Sequence, residues 1–233
     1  MNLTEPKVAG RGFPTGLDMM AANGSARAAT LMGETPVGKQ PNYMAGAKEA
    51  EVLLDGIKAT GTSHYAGLLR VLATLSAPPV EQAPPFVKTE AYADKNLMTS
   101  LAAWASTRHA WILHAKQSVM ARGDKRTNLP PGYVEPNPDF FRAMRALVGE
   151  TRKLFALGDV DNLGRFTDFE HLLEQLSEIV RKELAGEAFT GEEEHLLREY
   201  GYTIARLQGF EINTGGDTGF PWMSLVADVH TEV

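Results

Sequence analysis

Apolar positions along this chain recur mostly at intervals of three and four, the period of a helix with one buried face. The stretch from Leu163 to Leu184 is the clearest, with Phe166, Phe169, Leu173, Leu176, Val180 and Leu184 in register. Asp139 to Leu157 carries Phe140, Met144, Leu147 and Leu154, with Phe141, Val148 and Phe155 beside them. Ser63 to Leu75 places Tyr65, Leu68, Leu69, Leu72 and Leu75 at the same spacing. Asn42 to Ala59 predicts a further helix stopped at Gly61, and Thr15 to Met32 predicts two short pieces joined at Asn23-Gly24. Thr190 to Leu207 opens with a capping box, Thr190 followed three residues later by Glu193. There each side chain satisfies a backbone N–H that the helix start leaves unpaired.

A Pro-rich connector, Ser76 to Phe86, precedes the longest predicted helix, from about Thr89 to Ser118. On a helical wheel Leu97, Leu101, Trp104, Arg108, Trp111 and Ala115 fall in one seam, so Arg108 interrupts an apolar stripe. His109 and Lys116 share the neighbouring stripe with Ala105 and Ile112. A buried arginine needs carboxylate or carbonyl partners, because an unpaired charge in an apolar medium is too costly. Two readings follow. Arg108 and Lys116 bind a substrate anion beside a catalytic His109, or Arg108 is a structural clasp at the centre of the bundle, which is the preferred expectation.

Towards the C-terminus the period changes from helical to two. After the glycine-rich NTGGDTGFPW, the segment MSLVADVHTEV (Met223–Val233) alternates as a strand, with Asp228, His230 and Glu232 on one face. Successive residues of that face lie about 7 Å apart. Asp228 and His230 are therefore candidate metal ligands, and His230 is a second candidate base. A lone strand is unstable and its edge invites pairing, so a protein partner or self-association is expected there. The irregular stretch from Ala121 to Pro138 is long enough to serve as a second contact surface. The expected fold is mainly α, an irregular helical bundle around the long central helix, with a small β element at the C-terminus. Residues 1–233 are expected to form a single domain.

Composition narrows the function classes. With 233 residues, 43% hydrophobic and 22% charged, the chain can bury an ordinary core. Its net charge of -6 and lack of a long Lys/Arg cluster argue against nucleic acid as a main partner. The lack of cysteine excludes disulfides and thiolate chemistry. No window approaches the roughly 18 uninterrupted apolar residues of a membrane span, and the first residues lack the apolar core of a signal peptide. Asp168-x-x-His171 and Glu192-x-x-His195 have the spacing of di-metal helical bundles, but the wheel turns both histidines away from the apolar stripes.

Four blocks carry a family resemblance: GFPTGLDMMAANGSARA (Gly12 to Ala28), FVKTEAYADKNLMTSLAAWASTRHAWILHAKQS (Phe86 to Ser118), PPGYVEPNPDFF (Pro130 to Phe141) and VADVHTEV (Val226 to Val233). In order and content they resemble domain of unknown function 3160, a family of large prokaryotic proteins, many carrying export signals. The resemblance implies an extracytoplasmic setting, and implies that this chain corresponds to the later part of longer relatives. Where the family commonly has an acidic residue after Arg-His, this chain has Ala110. The resemblance brings no activity and no cofactor with it. The leading expectation is a non-catalytic binding or assembly module, and the alternative is a hydrolase-like pocket enzyme using Arg108, His109 and a metal at Asp228 and His230.

Overall fold

The computed structural model describes residues 14–112, 132–158 and 163–207, with the backbone alone for 108–112. Among these residues all regular structure is helical. The elements in order are α1 (Gly16–Ala22), α2 (Ala26–Glu34), α3 (Pro41–Thr60), α4 (His64–Leu75), α5 (Glu90–Ile112), α6 (Pro138–Ala156), α7 (Leu163–Ala185), α8 (Gly191–Arg198) and α9 (Tyr200–Leu207). A single 3-10 turn, Pro85–Lys88, leads into α5. The terminal strand expected over residues 223–233 lies outside the described residues.

The helix starts are written in local chemistry. Ser25, Ser63 and Asn137 each accept a backbone N–H from the first turn of α2, α4 and α6. At α8 the Thr190–Glu193 capping box forms as the sequence predicts. These bonds satisfy donors that have no partner within the helix. One predicted helix proves to be two. The run from Thr190 to Leu207 breaks at Glu199, between α8 and α9. Gly201, a weak helix former, follows at once, and the break lets Leu196 and Leu197 of α8 and Ile204 and Leu207 of α9 meet the same core.

Burial gathers in two bodies of apolar side chains. Met20, Ala28, Leu68, Leu72 and Leu97 pack with Leu17, Leu101 and Trp104 where α1, α2, α4 and α5 meet. A smaller group, Ala22, Ala50, Leu54 and Leu69, seats α3 alongside. The second body is built on α6 and α7, from Phe141, Val148, Leu172, Leu173, Leu176, Ile179 and Val180. Helix α4 joins the two, because it packs on α3 and α5 and also along α6. Six of its twelve residues are buried. At the crossing with α6, a Cβ added to Gly67 would stand 2.6 Å from Leu147 Cδ1, so the glycine permits the close approach. The organising helix is therefore the short apolar α4, not the long α5 around which the sequence predicts the bundle. The reason is composition: α4 carries few polar side chains and buries half its length, whereas α5 mixes apolar with polar positions and leaves even Met98 66% exposed.

Candidate functional site

The first turns of α5 place Tyr92, Lys95, Asn96 and Thr99 at intervals that share one helical face. Opposite them runs the segment 132–137, whose residues are Gly132, Tyr133, Val134, Glu135, Pro136 and Asn137. Asn137 holds this segment twice. Its Oδ1 accepts the Phe140 N–H at 3.0 Å, capping α6, and its Nδ2 donates to the Thr74 carbonyl at 2.9 Å. Asn96 Nδ2 donates to the next carbonyl, Leu75, at 3.1 Å. Two asparagines from distant parts of the chain thus add donors to carbonyls at the end of α4, where Thr74 also accepts the Ala77 N–H at 3.4 Å.

Glu135 fixes the middle of the segment. Its carboxylate accepts the Tyr92 hydroxyl and pairs with Lys95 Nζ at 2.5 Å. The same ammonium lies 4.5 Å from the centre of the Tyr92 ring, within cation–π range. Phe86 sets its edge against Tyr92 and Tyr133, with centroids 5.9 and 5.7 Å away. The Val134 N–H donates to Glu183 of α7 at 2.9 Å. Burial, and then the bond to Glu135, hold the Tyr92 phenol above its ordinary pKa. Burial raises the Glu183 carboxyl, while the Val134 N–H works in the opposite direction. Burial also raises the Tyr200 phenol.

Between this face of α5, the segment and the α6–α9 half lies a groove of about 330 Å³. Its floor is carbon, from Leu75, Phe140, Phe141, Leu176 and Leu197, and Tyr133 and Tyr200 stand at exposed positions along it. A second cavity, of about 310 Å³, adjoins it across Tyr92, Asn96 and Asn137. Arg27 lines that second cavity but is already paired, at 2.5 Å with both Asp94 and Glu90.

The residues singled out in the sequence are distributed differently. Leu97, Leu101 and Trp104 do face the first core body, so the seam runs as expected as far as Trp104. Arg108 and His109 continue α5 as backbone, but their side chains are outside the described residues, as are Lys116, Asp228 and His230. Along the axis Arg108 is about 13 Å beyond Thr99, the last α5 residue of the groove. His171, Asp168, Glu192 and His195 all sit at exposed positions. Among the described residues no three His, Asp or Glu side chains come together as a metal site. None of the described helices is long and apolar enough to cross a membrane.

The groove draws its walls from two of the four sequence blocks, Phe86 to Ser118 and Pro130 to Phe141. The family model described as protein of unknown function (DUF3160) matches residues 1–233. The chain belongs to this family. No curated protein and no solved structure matches it. The DUF3160 blocks read in the sequence as consecutive signatures are thus, in two cases, the two sides of one groove. Sequence reasoning passed over Tyr92, Lys95 and Glu135. The available signal was the repeat of polar residues at helical spacing on α5, together with a lone carboxylate between Val134 and Pro136.

Proposed function

We propose that this DUF3160 chain is a non-catalytic binding module, and that the groove between α5 and segment 132–137 is its contact site. The observation that carries the reading is the state of the groove's polar groups. Glu135, Lys95, Tyr92, Asn96 and Asn137 bond to one another or to backbone carbonyls, so they shape the walls. The remaining lining is largely apolar. Such a groove recognises by shape and apolar contact, in the size range of small-ligand sites. The ligand it suits is neutral and mostly carbon: a small ring-bearing molecule or an apolar anchor side chain of a partner. The hydrolase-like alternative rests on Arg108, His109, Asp228 and His230, whose side chains lie outside the described residues, and the binding reading is put forward on residues that meet in space.

Nile red, an uncharged apolar dye, tests this directly. Its fluorescence should rise on titration with saturable stoichiometry, and Thr99→Trp, a substitution at an exposed position of the groove wall, should abolish the rise. No enhancement, or enhancement indifferent to Thr99→Trp, counts against the reading. Association through Met223–Val233 belongs to the same proposal and is supported by the alternation of that segment in the sequence. Light scattering on the full chain and on a chain ending at Gly219 would show it as a loss of the associated species.

A further inference from the structure

The junction between α1 and α2 carries the dipeptide Asn23-Gly24. Gly24 has φ +104°, a conformation glycine adopts without steric cost. Asn-Gly is also where an asparagine amide is lost most readily, because no Cβ hinders the following nitrogen. That nitrogen attacks Asn Cγ, ammonia leaves, and water opens the succinimide to aspartate or isoaspartate.

In this fold each reacting group is otherwise engaged. Asn23 is only 3% exposed, and its Nδ2 donates to the Leu69 carbonyl of α4 at 3.1 Å. The attacking nitrogen, Gly24 N–H, donates to Ala21 O at 3.1 Å. Asn23 Oδ1 is buried without a hydrogen-bond partner among the described residues, so no donor stands ready to stabilise the oxyanion of attack. We propose that Asn23 is a latent deamidation site, protected while the α1–α2 junction stays bonded to the Leu69 carbonyl of α4, and that its products no longer fit the junction.

The misfit has two sources. An aspartate would turn a carboxylate oxygen towards the Leu69 carbonyl, replacing a donor by a second acceptor in a buried place. The charged groups nearby are already engaged. Lys58 Nζ lies 3.4 Å from the Asn23 carbonyl and pairs with Asp55 at 2.9 Å, and buried Asp18 accepts the Tyr43 hydroxyl at 2.8 Å. Isoaspartate adds a methylene to the main chain, lengthening a turn whose far side is fixed by the Ser25 N–H on Met20 O at 2.9 Å and by the Ser25 cap on Ala28. Deamidation would therefore convert a reversible opening of α1 and α2 into a one-way change.

The full chain is held at mildly alkaline pH and 37 °C, folded or in concentrated urea, and the tryptic peptide from Gly12 to Arg27 is weighed over time. The folded chain should lose its amide at least tenfold more slowly than the unfolded one, with Leu69→Ala or the milder Leu69→Val falling between while circular dichroism stays helical. Equal rates in folded and unfolded chains overturn the protection, and a rate unmoved by either Leu69 variant overturns the role of α4. Asn23→Asp should lower the thermal midpoint, and a midpoint equal to the parent's overturns the misfit.

Discussion

Glu183 shows how one side chain can serve the fold at a cost. Its carboxylate holds the Val134 N–H, yet burial raises its pKa. A raised pKa means that the folded state binds this proton more tightly than the unfolded chain does. The group's stabilising contribution is therefore present at low pH and is lost as pH rises through the folded value. Glu183→Gln keeps an acceptor for Val134 and removes the charge. In urea titrations it should be more resistant than the parent at pH 7, with the difference shrinking towards pH 4; a difference that grows on acidification would contradict this account. Asn137 offers a finer dissection, because its two ends do separate work. Asn137→Asp keeps the cap of α6 but loses the donor to Thr74, and should cost about 1 kcal/mol. Asn137→Ala loses both and should cost about 2 kcal/mol, measured as the change in unfolding free energy.

At the scale of elements, helix starts were the most legible feature, because a cap depends on residues three apart in the chain. The Thr190–Glu193 box is the plainest example, and Glu193 is also bonded by Lys182 of α7 at 2.7 Å. Thr190→Ala should cost about 1 kcal/mol and should release amides of α8 to hydrogen exchange before those of α7. Equal protection in the two helices would show that α8 is held by packing alone. The break between α8 and α9 was not legible, since one apolar stripe runs through it: Leu196, Leu197, Tyr200, Ile204 and Leu207 fit a continuous helix as well as two. Only the requirement that both pieces reach the core on α7 separates them. For the same reason the sequence could nominate α5 as the centre by length, while burial gave that place to α4.

At the scale of the molecule, the two bodies of apolar side chains are joined where Gly67 of α4 meets Leu147 of α6. The single-domain reading requires that this joint couple them. The parent chain should then unfold in one cooperative transition, with fluorescence and circular dichroism coincident. Leu147→Ala removes a side chain that is 7% exposed and should cost about 2–4 kcal/mol. If the bodies depend on the joint, it should also separate the two probes. By contrast Ile179→Ala, fully buried within the second body, should destabilise by a similar amount without separating them. Two transitions in the parent chain would refute the single domain.

The sequence by itself determined the helical class, most helix boundaries and the family, because each depends on residues close in the chain or on ordered blocks of it. The tertiary structure alone decided that Tyr92 and Lys95 meet Glu135, that Asn96 and Asn137 close the end of α4, and that a groove lies between them. Those partners are about 40 residues or more apart, except Asn96 and Leu75, which are separated by 21. No periodicity encodes such a meeting; it follows from how α4 seats α5 on one side and α6 on the other. The basic cluster at Arg108 and His109 stood out in the sequence because charge inside an apolar seam is conspicuous. Glu135 did not, because a lone glutamate in a loop acquires meaning only from what the fold sets beside it.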